Sequence, residues 1–150
     1  MLENNKYIIS FDPGRTTGLV VAYYADQQFV IIKTKEITWG DRFSATRDVI
    51  FEYKNHLCAL LIEDYRLRKD KAEEQAGSDM PSSQMIGIIE CRAFDLGIIH
   101  LVKKQMPAAK SRIQILDKHY PALGKSEHIR DAYRLTRYFI TSELAKRGWK

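Results

Sequence analysis

The chain has 150 residues, of which 45% are hydrophobic and 29% are charged, and these proportions are ordinary for a globular protein of one domain. No apolar run approaches the ~20 residues of a membrane-spanning helix, and the segment Met1–Lys6 lacks the apolar stretch of an export signal. The two cysteines, Cys58 and Cys91, have neither disulfide-framework nor metal-site spacing. We therefore expect both to be reduced core residues of a cytoplasmic protein.

The charge is distributed unevenly along the chain. The whole sequence carries a net charge of +5, but residues 98–150 contain 12 Lys and Arg against 4 Asp and Glu, a net charge of +8. A segment this basic favours an anionic partner, with nucleic acid as the leading candidate. The alternative is a solvated basic surface that has no partner.

Two strand-like runs near the start of the chain, Tyr7–Phe11 and Leu19–Tyr23, are separated by a bend rich in Pro, Gly and Thr. This pattern predicts a β-hairpin. Because side chains alternate along a strand, Ile8, Ser10 and Asp12 share one face of it. Asp12 therefore ends the first strand, where a cleft can open, and the Pro-Gly bend can hold its carboxylate in one orientation. The alternative is an aspartate that only begins a Pro-Gly turn.

Three further elements follow the hairpin. The residue pattern predicts a third strand over residues 28–37, which completes an antiparallel meander, and a helix over residues 42–56. The continuous apolar run at 57–62 is typical of a strand buried on both faces. It ends at Glu63 and Asp64, which point to opposite faces of an extended backbone. Only one of these two can therefore join the carboxylate that ends the first strand.

A charged segment comes next, at residues 66–81, where the signs are mixed and Gly, Ser, Asp and Pro close the run. This composition predicts a mobile surface loop. Loops that follow a strand carrying functional residues often contact substrate, so Arg66 and Arg68 could meet a phosphate backbone. The alternative is a solvated, partly helical excursion.

A helix and a fifth strand are predicted after this loop. Ser82 or Ser83 can cap the helix, whose apolar stripe runs to Leu96 before Gly97 ends it. The strand covers residues 98–102. A strand, a crossover helix and another strand imply a parallel pair.

The last predicted element is a helix from Glu127 to about Lys146, with Ser126 as its expected N-cap. Asp131 lies in the first turns of this helix, on the same stripe as His128. The carboxylate of Asp131 near the start of this helix is therefore the third at the end of a predicted element, after those that end the first and fourth strands.

The order β-β-β-α-β-α-β-α carries three motifs at these places: Asp-Pro-Gly-Arg-Thr-Thr-Gly at 12–18, Leu-Ile-Glu-Asp-Tyr at 61–65 and His-Ile-Arg-Asp-Ala-Tyr-Arg-Leu at 128–135. In order and spacing they resemble the RuvC-type Holliday junction resolvases of the ribonuclease H-like superfamily, in the compact style of phage and mobile-element members. The resemblance spans Tyr7 to about Leu144. It implies an α/β fold with a mixed five-stranded sheet and helices on both faces.

The resemblance also implies an activity. Such proteins are metal-dependent, structure-selective endodeoxyribonucleases that resolve four-way DNA junctions by paired symmetric nicks. They act as homodimers, because two nicks across a junction need two sites. By this resemblance, the chain would act in the cytoplasm of a bacterial or phage-infected cell.

The carboxylates suit this chemistry, because two Mg²⁺ ions that clamp the attacking and leaving oxygens need hard oxygen ligands. The resemblance implies that Asp12 bridges two Mg²⁺ ions and that Glu63 and Asp131 complete their shells; Mn²⁺ is expected to substitute. It also favours Glu63 over Asp64. The family usually has a fourth carboxylate one helical turn before the last aspartate, where this chain has His128. This histidine could ligate one ion or move a proton at the leaving group, or be a capping or surface residue.

Several side chains are expected to contact DNA. The resemblance places the two threonines of the first bend near the cleaved strand, with plain turn chemistry as the alternative. The lysines after the fifth strand are candidate phosphate contacts, with a solubilising role as the alternative. The full set of candidates is Thr16, Thr17, Arg66, Arg68, Lys103, Lys104, Lys110 and Arg134.

The helix from Pro81 to Leu96 is a candidate dimer interface. Met85, Ile89 and Phe94 could supply its contacts, or they could be ordinary core residues.

Other functions stay open on the sequence alone. A non-catalytic nucleic-acid-binding module on the same fold would bind DNA without needing Asp12. A related nuclease could act on other branched DNA or on RNA–DNA hybrids. The Asp-Pro-Gly bend also resembles the phosphate loop of sugar kinases and actin-like ATPases, but those proteins need two such domains around the nucleotide, so we rank this class last.

Overall fold

The structure, a computed structural model, describes residues 6–25, 28–64, 80–105 and 123–144. Within these ranges the elements follow the predicted order, with three strands and then three helices that alternate with two more strands. Their bounds are β1 Tyr7–Asp12, β2 Thr17–Ala25, β3 Gln28–Ile37, α1 Arg42–Tyr53, β4 Leu57–Glu63, α2 Pro81–Asp95, β5 Val102–Gln105 and α3 Glu127–Phe139.

The strands form one mixed sheet in the order β3-β2-β1-β4-β5. The predicted meander is confirmed, since β1 pairs antiparallel with β2 and β2 pairs antiparallel with β3. The chain then crosses to β4, which runs parallel to β1, and again to β5, which runs parallel to β4. The predicted parallel pair is therefore confirmed, and the carboxyl ends of β1, β4 and β5 lie at one edge of the sheet.

Helices cover both faces of the sheet, as predicted. One core cluster packs against α3 and includes Ile8, Ala59 and Leu61. The other packs against α1 and α2 and includes Phe11 and Leu60. The alternation of β1 and β4 side chains between these clusters confirms that both central strands are buried on both faces.

The fifth strand was predicted at the wrong residues. Residues Ile99–Leu101 form a short 3-10 turn, and the strand covers Val102–Gln105 instead. The side chain of Ile98 is buried in the core, and its amide N–H donates to the Ala93 carbonyl at the end of α2. Ile98 and Leu101 therefore pack against the core and Ile99 is exposed, while pairing with β4 brings lysines into the ladder against their weak strand preference.

Two details of α2 also differ from the prediction. Met80 occupies the N-cap in a left-handed conformation (φ 48°) without a side-chain cap, so neither Ser82 nor Ser83 caps this helix. Cys91, predicted as core, is exposed, whereas Cys58 is partly buried. No helix in the described ranges is long and apolar enough to span a bilayer.

The cap of α3 is confirmed, because Ser126 Oγ accepts a hydrogen bond from the Ile129 amide at 3.2 Å. The regular helix is shorter than predicted. It ends at Phe139 and continues as a π-helical turn over Ile140–Leu144.

Helix α3 is held on the sheet at two points. A Cβ added to Gly18 would lie 1.9 Å from the carbonyl oxygen of His128, so only glycine lets the first turn of the helix approach β2 so closely. Two turns further on, the hydroxyl groups of Ser10 and Thr136 form a buried hydrogen bond of 2.6 Å. These two contacts hold α3 against β1 and β2, with its first turn at the edge of the sheet where β1 ends.

Gly18→Ala is expected to destabilise the fold by about 3 kcal/mol or more, because the added Cβ would meet backbone atoms that cannot rotate away. Urea denaturation followed by circular dichroism measures the change. Gly87→Ala is the matched control: this helical position is open, so we expect about 0.5–1 kcal/mol of stabilisation. A Gly18→Ala variant as stable as the parent would contradict the close approach of α3.

Thr136→Val is expected to cost about 1–3 kcal/mol, because it leaves the buried Ser10 hydroxyl without its partner. Ser10→Ala should cost less, about 0.5–1.5 kcal/mol, because Thr136 Oγ1 still donates to the Ala132 carbonyl at 3.3 Å. The double variant removes both groups, so its cost should fall below the sum of the two single costs by about 0.5 kcal/mol or more. A double-mutant cycle of denaturation free energies tests this, and strict additivity would refute the coupling.

Candidate active site at the carboxyl edge of the sheet

Asp12 ends β1 and pairs with Gly18 across the hairpin. The bend between them is closed by Thr17, whose Oγ1 accepts from the Gly14 amide at 3.3 Å and donates to the Gly14 carbonyl at 3.2 Å. Thr17 is buried, so its hydroxyl serves the turn, which is the alternative that the sequence left open. Thr16 is partly buried in the same bend. The carboxylate of Asp12 thus projects from a rigid turn, with 13% of its side chain exposed.

His128 lies beside Asp12. The distance between His128 Nδ1 and Asp12 Oδ2 is 3.7 Å, and 49% of the histidine side chain is exposed. This proximity follows from the contact at Gly18, which brings the first turn of α3 against the hairpin. The sequence predicts that His128 faces the metal site beside Asp131, and in the structure its imidazole lies near Asp12.

Glu63 ends β4 at the same edge. Ala59 and Leu61 pack in the cluster under α3, and strand alternation places Glu63 on this face with Asp12. Its neighbour Asp64 continues the ladder, since the Asp64 amide donates to the Gln105 carbonyl at 2.6 Å. The backbone geometry therefore supports the choice of Glu63 over Asp64.

Asp131 is one helical turn beyond His128 on α3, so the two share a helix face. Its Oδ1 accepts a hydrogen bond from Arg134 Nη1 at 2.5 Å. Arg134 Nη1 also lies 3.8 Å from Glu127 Oε2. Arg134, predicted as a DNA contact, is thus placed directly against a predicted metal ligand.

The four predicted ligands fit a hard divalent cation by chemistry and by position, since they are three carboxylates and an imidazole on elements that meet at one edge. Their side chains do not converge into a finished cluster. Among the described residues, no group of three or more His, Cys, Asp or Glu is close enough to hold an ion. Asp131, turned toward Arg134, accounts for part of this separation.

The predicted lysine contacts fall in different places. Lys103 pairs with Leu61 in the ladder, on the face of the carboxylates, whereas Lys104 pairs with Ile62 and its Nζ lies 3.0 Å from Glu90 Oε1 on α2. Lys104 therefore lies on the opposite face and is already engaged by an acid. Three other predicted contacts lie outside the described residues: Arg66, Arg68 and Lys110.

Sequence reasoning missed one group of side chains at this edge, which we call the tryptophan–arginine cluster: Arg15, Trp39 and Arg42. The Arg42 Cζ lies 4.3 Å from the centroid of the Trp39 ring, and the Arg15 Cζ lies 5.7 Å from it. The three residues come from the β1–β2 bend, the turn after β3 and the start of α1. Arg15 lies within the first motif, but it is far in sequence from Trp39 and Arg42, so the sequence does not indicate that the three side chains meet.

Comparison with known proteins gives matches by structure only. No family model matches the sequence, and no curated protein matches it. The T. thermophilus RuvC in complex with Holliday junction substrate is similar in structure, with a TM-score of 0.68, 16% identity and coverage of 95% of this chain and 96% of that one.

A second similar structure is the Fowlpox virus resolvase in complex with substrate Holliday junction DNA. Its TM-score is 0.56 at 16% identity, and the match covers 92% of this chain and 99% of that one. Both matches extend over nearly the whole of each chain. The chain has a RuvC-like fold of the ribonuclease H-like type.

Proposed function

We propose that this protein is a divalent-metal-dependent endonuclease that cuts four-way DNA junctions by paired, symmetric nicks. The observation that carries the proposal is the position of Asp12 and His128, 3.7 Å apart where β1 ends, on a fold shared with two resolvases that are bound to junction DNA. Parallel strands bring Glu63 to the same edge and face. The basic C-terminal third of the chain adds an attraction for a polyanion.

Asp12, Glu63 and Asp131 would hold the metal, with Mg²⁺ as the expected ion and Mn²⁺ as its substitute, and two ions per site. Bound there, the ions would stabilise charge on the phosphate and lower the pKa of an attacking water. The turn closed by Thr17 keeps Asp12 in one orientation, which limits the reorganisation needed at the reacting phosphate. His128, half exposed beside Asp12, is placed to ligate an ion or to give a proton to the leaving oxygen.

We also propose that the protein works as a homodimer through the outer face of α2. The predicted interface residues Met85 and Ile89 are buried in the core, but 70% of Phe94 is exposed. Gly87 and Cys91 are exposed on the same stripe of the helix. They border a groove of about 440 Å³ between α1 and α2, which Phe43 lines from α1. The exposed stripe at positions 87, 91 and 94, and not the wall of the groove that Arg42 lines, is the surface that a second copy would cover.

A non-catalytic junction-binding module is the second candidate, and one observation favours it. The predicted ligands are not assembled in the described residues, and Arg134 engages Asp131. Such a module would bind junctions with Asp12 replaced and would never cut them.

The test of the main proposal is cleavage of labelled four-way junction, linear duplex and RNA–DNA hybrid in Mg²⁺, Mn²⁺ or EDTA. Asp12→Asn and Glu63→Gln are expected to lower the junction cleavage rate more than about 100-fold, because even the outer partners of metal ligands contribute about 10–100-fold. Binding to the junction should persist or tighten in Asp12→Asn, since a negative charge near phosphate is removed. Asp64→Asn is the matched control and should cut at close to the parent rate.

Near-normal cleavage by Asp12→Asn would refute the site. Cutting of the hybrid instead of the junction would identify a different nuclease on this fold. Tight junction binding by the parent without cutting in either metal would favour the non-catalytic module.

Phe94→Glu is expected to convert the dimer to a monomer, because it replaces the largest apolar side chain of the exposed stripe with a charge. Sedimentation equilibrium measures the mass. Val30→Glu is the control, since Val30 is an exposed apolar residue on the far edge strand β3. A parent protein that is monomeric would refute the dimer. A Phe94→Glu variant that stays dimeric would show that the interface lies on another surface.

A further inference from the structure

The tryptophan–arginine cluster has no role in the site described above, and it lies at the same edge of the sheet. Arg15 stands in the bend that follows Asp12, and Trp39 follows Ile37, which pairs with Thr17. The position of a Cβ on Gly14, in the same bend, is 3.9 Å from Ser82 Oγ in the first turn of α2. The cluster therefore belongs to the α1 and α2 side of the edge, whereas His128 belongs to the α3 side.

The Arg42 guanidinium is held in place without being neutralised, and Arg15 is exposed beside the same ring. Arg42 Nη1 donates to the Trp39 carbonyl oxygen at 2.6 Å while its guanidinium lies over the indole ring. Neither Arg15 nor Arg42 has a carboxylate within ion-pair distance in the part of the chain that the structure describes. Arginines elsewhere on this surface are paired with acids, as Arg134 is with Asp131. The cluster is thus a fixed, uncompensated positive site.

One hydrogen-bond donor of the cluster also has no partner among the described residues. Arg42 Nε is buried and makes no hydrogen bond. A buried charged donor without a partner is costly, and an anion bound by the exposed part of the guanidinium would offset this cost by neutralising the charge. Phosphate matches the planar fork of arginine, which can donate two parallel hydrogen bonds to it.

We propose that the tryptophan–arginine cluster binds backbone phosphates of the DNA arm next to the cleaved strand. This proposal rests on the proposed function. It assigns a contact with the DNA substrate to the α1 and α2 side of the edge. The Trp39 ring serves as a platform that orients both guanidinium groups, so that little side-chain entropy is lost when phosphate binds. The DNA then crosses the carboxyl edge of the sheet, with α3 on one side of it and the cluster on the other.

The test measures junction binding by fluorescence anisotropy in EDTA, in the Asp12→Asn background, between about 50 and 200 mM salt. Each phosphate contact contributes about 0.9 to the slope of log K against log salt, so Arg15→Ala with Arg42→Ala should reduce the slope by up to about 1.8. Arg15→Lys with Arg42→Lys keeps the charge and should keep most of the slope. Melting temperatures of all variants show whether folding is intact.

Arg137→Ala is the matched control. The Arg137 Cζ also lies over an aromatic ring, 5.2 Å from the Phe29 centroid, but Phe29 is at the opposite end of the sheet. This variant should keep the parent slope. An alanine pair with the parent slope, or an equal loss in Arg137→Ala, would overturn the proposal.

A second measurement does not depend on the stability of the arginine variants. The chain has two tryptophans, so Trp149→Phe leaves Trp39 as the only indole emitter. Adding junction DNA should shift or quench this emission in proportion to binding. Saturated binding with unchanged Trp39 emission would overturn the proposal while leaving junction binding intact, whereas an Asp12→Asn parent that binds no junction would overturn the proposed function as well.

Discussion

The arrangement of the site depends on one close approach, between the first turn of α3 and Gly18 of β2. Any side chain at position 18 would collide with the His128 carbonyl, so the distance between helix and hairpin is set by the absence of a single atom. His128 reaches Asp12 because of this contact, and Asp131 follows on the same helix face. The buried pair of Ser10 and Thr136 then fixes the rest of the helix along the strand. The geometry of the candidate site therefore depends on the same contacts as the packing of α3 on the sheet.

Charge is arranged around the carboxyl edge in two different ways. On the α3 side, acids and bases neutralise one another, as in the group formed by Glu127, Arg130 and Arg134. On the α1 side, the guanidinium groups lie over aromatic rings instead of carboxylates. The first arrangement restrains a site until a ligand competes for it, and the second leaves positive charge available to a polyanion.

Local signals predicted the parts of the fold that local interactions determine. The hairpin, the central strands and the Ser126 cap each follow from a few adjacent residues, and so does the position of Asp12. The start of β5 did not, because Ile98 and Leu101 pack against the core while pairing with β4 draws lysines into the strand. For Phe94 the sequence left a dimer interface and the core both open; Ala93 takes the buried position, and one residue of helical rotation turns Phe94 outward. The tryptophan–arginine cluster joins the bend that carries Arg15 to the later segment that carries Trp39 and Arg42, so no local spacing in the sequence could indicate the whole group.

The pair formed by Asp131 and Arg134 has a thermodynamic consequence. A cation that binds Asp131 must compete with the guanidinium that already donates to it. A phosphate that draws Arg134 away removes this competition. By linkage, each of these two ligands would raise the affinity for the other by the same factor. The ion pair would thus make metal occupancy greater in the DNA complex than in the free protein. An enzyme built this way would bind its full set of metal ions only when a DNA strand is in the site.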